Sequence, residues 1–144
     1  MSRRLGTPYM RGKSDVIENF APNGGNAVAA GLAVILHTDG TIKPYAGSGV
    51  IIGVAGMKEM KHQSVVRAGL EVLVQLASGV TPSSGAAVYV DADGKFTPSA
   101  TTGEGGSAVN NTAVNATFRG AKETAIDASG TTHDAAPIDF AGGL

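Results

Sequence analysis

The sequence contains no cysteine and no tryptophan, and each absence excludes a class of protein. Without cysteine the chain forms no disulfide and performs no thiol chemistry. Aromatic residues make up only 5% of the chain. This scarcity argues against a carbohydrate-binding module, because sugar sites favour aromatic platforms.

Charged residues are also scarce, at 16% against about 25% in a typical soluble domain. The 144 residues fit one domain, and the 21 glycines indicate a β protein rich in turns. A surface poor in long charged side chains favours coverage by partner molecules. The net charge of −1 gives no general case for direct nucleic-acid or membrane binding.

The charges are unevenly distributed, with a basic N-terminus ahead of an acidic body. Four of the eleven basic residues precede the first acid, Asp15, while seven bases and twelve acids lie beyond residue 14. Residues 1–14 have no apolar periodicity and predict an extended N-terminal arm, followed by a single β domain over residues 15–144. An ordinary frayed terminus is the alternative. The arm residues expected to contact a partner or neighbour are Arg3, Arg4, Tyr9, Arg11 and Lys13.

The sequence shows no signal for membrane targeting. The N-terminus lacks the apolar run of a signal peptide. The longest apolar run, residues 27–36, is too short to span a bilayer. We therefore expect a soluble protein.

Two stretches of the chain repeat one another. Residues 31–49 (GLAVILHTDGTIKPYAGSG) and residues 85–103 (GAAVYVDADGKFTPSATTG) share eight identities in register, including Asp-Gly and a later proline. Asp-Gly between two apolar runs is a strong hairpin signal, because the turn needs a positive φ angle. Proline cannot donate to a ladder, so it closes the second strand or lies on an edge. The repeat predicts two related β-hairpins.

The remaining patterns predict further strands and loops. Residues 50–56 are an apolar run typical of a buried strand, and residues 15–20 fit a strand or a helical turn. Residues 27–36 fit a buried helix or a strand, and Gly31 and the following Asp-Gly favour the strand. Residues 64–67 and 70–76 predict two strands with a turn at Ala68-Gly69 between them, the second half-buried. Residues 101–111 and 128–135 are expected to be loops, and residues 113–121 and 136–144 to be strands. The predicted fold is mainly β, a small β-barrel or tulip-like sandwich built from the two hairpin units.

Motifs for chemistry are weak, so we expect no enzyme, no metal and no cofactor. His37, His62 and His133 are far apart, and none has a second ligand at metal spacing. Asp91-Ala92-Asp93-Gly94 resembles the start of a calcium loop but lacks its later ligands, and turn chemistry explains it. No nucleophile-elbow pattern is present.

The stretch Met57-Lys58-Glu59-Met60-Lys61 suggests an alternative. Biotinyl and lipoyl carrier domains carry a modified lysine at a hairpin tip, flanked in the biotinyl case by methionines. The order here differs from the biotinyl Met-Lys-Met pattern, and Gly56 stands where that pattern has alanine. A carrier modified on Lys58 is therefore the less favoured alternative.

The order of three glycine- and valine-rich segments resembles a known family. Residues 23–36 (NGGNAVAAGLAVIL), Gly53-Val54-Ala55 and residues 65–97 (VVRAGLEVLVQLASGVTPSSGAAVYVDADGKFT) are similar to the capsid decoration, or structural cement, proteins of tailed bacteriophages. The resemblance covers residues 20–142.

The resemblance implies a non-enzymatic β protein that binds the outside of a mature phage head. The implied partners are the major capsid protein and further copies of the chain, as a homotrimer at threefold or quasi-threefold positions. The implied location is the outer surface of the virion, after synthesis in the cytoplasm of the bacterial host. Another phage structural module, such as a head fibre base or a tail component, is the alternative.

Overall fold

A computed structural model describes residues 3–6, 8–10, 16–127, 129–141 and 144 of the chain. Within these residues the regular structure consists of β-strands and two short 3₁₀ turns, without α-helix. The 3₁₀ turns are Asn23–Gly25 and Gly105–Ser107. The strands are β1 (Arg3–Arg4), β2 (Pro8–Met10), β3 (Val16–Phe20), β4 (Ala33–Leu36), β5 (Ile42–Pro44), β6 (Ile51–Glu59), β7 (His62–Gln75), β8 (Ala87–Val90), β9 (Phe96–Thr97), β10 (Thr101–Thr102), β11 (Val109–Asn110), β12 (Thr112–Phe118), β13 (Glu123–Ile126) and β14 (Thr132–Phe140). The prediction of a mainly β fold is confirmed.

Strand β7 organises the sandwich because it belongs to both layers. Its first part pairs with β3 and β6, and its second part pairs with β2 and β14. The main path of paired strands runs β5-β4-β6-β7-β14-β12-β8-β9, with two ends. The described strands therefore form an open sandwich rather than a closed barrel. Side chains from both layers, such as Val54, Val66, Val88, Phe96 and Ile138, fill the main core between them.

The predicted turn at Ala68-Gly69 is wrong, because β7 runs unbroken from His62 to Gln75. The chain instead passes between layers at a bulge, where Glu71 has φ 51° and the register with β14 shifts. The side chain of Asp139 accepts a hydrogen bond from the Glu71 N–H at 2.8 Å. The second part of β7 is also buried on both faces, not half-buried as predicted, since Leu73 packs in a second cluster.

The two predicted hairpins are confirmed. Strand β4 pairs with β5, and β8 pairs with β9, each antiparallel. Pro44 ends β5 at one edge of the sheet, and Pro98 directly follows β9 at the other. In the first turn the N–H of Gly40 donates to His37 O, and in the second the N–H of Gly94 donates to Asp91 O.

A third hairpin lies where a polar loop was predicted at residues 128–135. Strands β13 and β14 are antiparallel partners, and β14 begins at Thr132. Their turn repeats the hydrogen bonds of the other two: Asp127 N–H donates to Thr131 O, and Gly130 N–H donates to Asp127 O. Gly40, Gly94 and Gly130 have φ values of 84°, 78° and 85°. All three hairpins therefore use one turn geometry.

Two other segments differ from expectation. Within residues 27–36 only Ala33–Leu36 forms a strand, while the preceding residues lie across β6 and β7 and cover a third cluster. The loop predicted at residues 101–111 contains the short pair β10–β11, which forms a sheet of its own. Thus sequence-local patterns located the main strands but missed segments whose conformation depends on distant partners.

Candidate functional site

The N-terminal segment contains the sequence-predicted contact residues, and its described part pairs with the body. Arg3 and Arg4 form β1, which pairs in parallel with β13, and Tyr9 lies in β2, which pairs with β7. Arg11 and Lys13 lie outside the described residues. The described part of the segment thus belongs to the layer that contains β13, β14 and the second part of β7.

Leu5 and Gly6 fix this segment to the body. Leu5 is fully buried in the cluster that also contains Leu73 and Ala135. The Gly6 N–H donates to Leu73 O at 2.7 Å. A β-carbon at Gly6 would lie 1.9 Å from Ala55 O, so the backbone passes too close for any side chain. Removing residues 1–14 would thus remove part of the fold as well as its basic residues.

Large apolar side chains are exposed at edges and tips of the sandwich. Because Ile35 pairs with Ile51, Leu36 and Val50 are neighbours at one end of β4 and β6, and they are 49% and 78% exposed. Val16 and Ile17 are exposed on β3, which within the described residues pairs only with β7. These positions are candidates for an apolar contact surface.

The β10–β11 hairpin is a separate exposed region that is nearly uncharged. Residues 99–110 are exposed throughout and contain one charged residue, Glu104. Asn111 closes the base of the hairpin, since its side-chain amide donates to Ser99 O at 3.0 Å and to Thr102 Oγ1 at 2.9 Å. An isolated two-stranded hairpin is marginally stable in water. Its exposure makes it a second candidate contact region.

Two of the histidines are held by aspartates in the hairpin turns. His37 Nδ1 lies 3.0 Å from Asp39 Oδ1, and His133 Nε2 lies 2.8 Å from Asp127 Oδ2. Hydrogen bonds from Thr41, and then from His37, hold the pKa of the Asp39 carboxyl well below its usual range. The hydrogen bond with His133, and then that with Ser129, does the same for the pKa of Asp127. Both aspartates act as turn acceptors.

These contacts do not assemble a nucleophile with a base. Ser129 Oγ donates to Asp127 Oδ1 at 2.7 Å rather than to His133, whereas a catalytic triad needs a serine bonded to the histidine. Among the described residues no three His, Asp or Glu side chains are grouped to hold a metal ion. His133 lies in β14 rather than in the loop predicted for it.

The lysines of the carrier alternative lie at, or close to, the hairpin tip between β6 and β7. Lys58 lies within β6, and its Nζ donates to Gly25 O at 3.1 Å. Met60 and Lys61 occupy the tip, and Met60 is 94% exposed. A cavity of about 320 Å³ at this tip is lined by Asn19, Met57, Glu59, Met60, His62 and Ser64. The sequence interpretation treated Met57 and Met60 only as flanks of a modified lysine and did not identify the residues that line this cavity.

Comparison with models of known protein families and with curated protein sequences gave no match for this chain. No helix within the described ranges is long and apolar enough to cross a membrane.

Proposed function

We propose that the chain is a non-enzymatic decoration protein that binds the outer surface of a mature tailed-phage head and stabilises it against the pressure of packed DNA. The observation that best supports this proposal is the position, in the fold, of the three segments that show the resemblance. Residues 23–36, 53–55 and 65–97 supply β4, the middle of β6, most of β7, and the whole of β8 and β9. These segments contribute much of the main core, so the resemblance concerns the framework of the sandwich rather than its loops.

The surface of the sandwich suits a protein that works by contact. Charged residues are few, and Leu36, Val50, Val16 and Ile17 offer exposed apolar side chains. The β10–β11 hairpin adds a second contact region with a single charge. Such a surface favours burial against the major capsid protein and against further copies of the chain.

Binding alone is sufficient for the proposed role. A protein that binds the assembled shell and not its dissociated subunits stabilises the shell by mass action. A homotrimer that contacts several capsid subunits at once gains avidity from geometry, so each contact can be modest. Preference for the mature head follows if the binding surface forms only after the shell expands.

The basic N-terminal residues provide the electrostatic part of the proposed contact. Arg3, Arg4, Arg11 and Lys13 would face an acidic capsid or neighbouring surface, with Tyr9 between them in sequence. Because Leu5 and Gly6 are packed in the fold, charge substitutions test this role better than deletion.

Co-sedimentation with heads of the phage that encodes the chain tests the proposal. We expect saturable binding to expanded heads, little binding to unexpanded heads, and greater resistance of decorated heads to heat-induced DNA release. Absence of binding to expanded heads would refute the function. Changing Arg3, Arg4, Arg11 and Lys13 together to glutamine should weaken binding and reduce its salt dependence. The double change Lys43→Gln with Lys95→Gln, at basic residues of the body, should not.

The trimer is tested separately by light scattering on a sizing column and by its stoichiometry on the head. Three copies at each threefold position would support it. Single copies distributed over the lattice would contradict the trimer while leaving decoration intact.

A further inference from the structure

The sequence contains one Asn-Gly pair, Asn23-Gly24, and every other asparagine is followed by a residue with a side chain. Asparagine is a thermolabile residue, because the main-chain nitrogen that follows it can attack its side-chain carbonyl carbon. Such an attack within one chain avoids most of the entropic cost of a reaction between two molecules. Glycine has no side chain to crowd the attacking nitrogen. The pair is therefore a candidate for spontaneous covalent modification.

The nitrogen of Gly24 is available for this attack. In the 3₁₀ turn Asn23–Gly25, the N–H of Gly25 donates to Pro22 O at 3.1 Å. The N–H of Gly24 has no hydrogen-bond partner among the described residues. Because Gly24 is exposed and its N–H is not held by another group, base from the solvent can remove its proton.

The two Asp-Gly pairs of the chain are held differently. The N–H of Gly40 donates to His37 O at 2.9 Å, and that of Gly94 donates to Asp91 O at 3.1 Å. A nitrogen whose proton is bonded is a poor nucleophile, and an ionised carboxylate resists nucleophilic attack. The turn hydrogen bonds thus oppose at these two pairs the ring closure that is open to Asn23.

The side chain of Asn23 is anchored to the turn of the β4–β5 hairpin. Its Nδ2 donates to Thr41 Oγ1 at 3.0 Å and to Asp39 Oδ2 at 3.5 Å. Ring closure requires Asn23 Cγ to rotate onto the Gly24 nitrogen. Bonds that fix the amide on the hairpin oppose this rotation, so the turn acts as a brake on the reaction.

We propose that Asn23 is a deamidation site whose rate is set by the β4–β5 turn. The Gly24 nitrogen bonds to Asn23 Cγ, the Cγ–Nδ2 bond breaks, and Nδ2 leaves as ammonia with the proton of the Gly24 N–H. Solvent water then opens the cyclic imide. Addition of water at Cγ gives aspartate, and addition at the main-chain carbonyl carbon gives isoaspartate. The site does not depend on the proposed capsid function.

Either product changes the contact with the hairpin. A carboxylate at position 23 cannot donate to Thr41, and it adds a negative charge beside Asp39. The same segment is joined to β5 by the bond from Ile42 N–H to Ala21 O at 3.0 Å. Repulsion at position 23 should therefore loosen the hairpin.

Incubation of the full chain in mildly alkaline buffer, followed by peptide mass mapping with fragmentation, tests the site. The mass increment of an amide-to-acid conversion should appear first on Asn23, and an isoaspartyl methyltransferase with a labelled methyl donor should label the same peptide. The reaction should slow in mildly acidic buffer, because the Gly24 nitrogen then keeps its proton. Asn23→Gln should abolish this increment, whereas the control Asn26→Gln should keep it. An increment that appears first at another asparagine, or none at Asn23, would overturn the proposal.

Thr41 tests the control by the hairpin. Thr41→Val removes the acceptor of the 3.0 Å bond at nearly constant size and should deamidate several-fold faster than the wild type. The matched change Thr41→Ser keeps the hydroxyl and should react at the wild-type rate. Equal rates for the two folded variants would contradict a brake at this turn. Unfolding the wild-type chain in urea should also speed the reaction, and a rate in urea no faster than in native buffer would refute the brake independently of any variant.

Asn23→Asp reproduces one product and tests its effect on the hairpin. It should raise the pKa of Asp39 in a carboxyl NMR titration, because a nearby like charge disfavours ionisation. It should also lower the thermal midpoint more than Asn26→Asp, which adds the same charge further along the loop. An unchanged pKa of Asp39 in Asn23→Asp would contradict the proposed repulsion.

Discussion

The side-chain amide of Gln63 forms with the backbone of Val28 the two hydrogen bonds that a paired strand would otherwise supply. Val28 N–H donates to Gln63 Oε1 at 2.9 Å, and Gln63 Nε2 donates to Val28 O at 2.6 Å. The same Nε2 donates to Gly56 O at 2.9 Å. Both partners are buried, so this amide fixes Val28 across the sheet without a strand.

Replacing Gln63 by leucine should destabilise the protein by about 3 kcal/mol, because each buried polar group left unsatisfied costs about 1–3 kcal/mol. Gln75, whose Nε2 donates to Ala30 O, makes one such bond and provides the matched comparison. Gln75→Leu should cost about 1 kcal/mol. Urea unfolding measures both, and a larger loss for Gln75→Leu would contradict the role assigned to Gln63.

Leu5→Ala should destabilise the fold by about 3 kcal/mol, because truncating a fully buried leucine removes apolar contacts and leaves a cavity. Leu36→Ala is the control at a half-exposed position and should cost well under 1 kcal/mol. Thermal or urea unfolding measures the change in stability of both variants. A neutral Leu5→Ala would mean that the N-terminal segment does not contribute to the core.

The hairpins were predictable because their signals are local. Asp39-Gly40 and Asp93-Gly94 carry the turn chemistry within two residues. The third turn has Ser129-Gly130 instead, and the signal that could have identified it is the glycine placed three residues after Asp127. Its hydrogen bonds match the other two turns although the Asp-Gly pair is missing.

Long-range contacts explain what the sequence did not predict. Ala68-Gly69 has the small residues of a turn, but pairing of β7 with β3 and β14 keeps the strand continuous. Residues 27–32 are apolar like a strand, yet Gln63 and Gln75, far along the chain, determine their course. The sequence likewise does not show that Asn19 lines the same cavity as Glu59 and His62, which follows from the pairing of β3 with β7.

Substitutions at Glu71 should separate backbone strain from the neighbouring ion pair. Both Glu71→Ala and Glu71→Gly remove the contact with Arg119, whose Nε lies 3.8 Å from Glu71 Oε1. Only glycine relieves the positive φ of 51°. The glycine variant should therefore be more stable than the alanine variant by about 1 kcal/mol in urea unfolding. Equal stability of the two variants would show that the bulge carries no strain.

The hydrogen bonds to Asp127 predict that the stability of the protein depends on pH in the acidic range. Its folded-state pKa is lowered, first by His133 and then by Ser129. The ionised carboxylate therefore contributes stability above its unfolded pKa of about 4, and this contribution is lost as the pH falls through the folded pKa. His133→Phe should raise the pKa of Asp127 in a carboxyl NMR titration and weaken the acid dependence of unfolding. His62→Phe, outside this turn, should leave the pKa of Asp127 unchanged.

The three turn glycines should differ in their tolerance of alanine although their φ values agree. Around Gly40 and Gly130 a β-carbon would meet open space, so Gly→Ala there costs only the strain of positive φ, about 1 kcal/mol. At Gly94 a β-carbon would also lie 3.2 Å from Tyr45 O, where the second hairpin contacts the first. The N–H of Ala33 donates to Gly94 O at 2.9 Å, so the turn cannot move away without breaking this bond. Gly94→Ala should therefore be the most destabilising of the three in urea unfolding, and equal losses at all three positions would mean that the two hairpins are not held together at this contact.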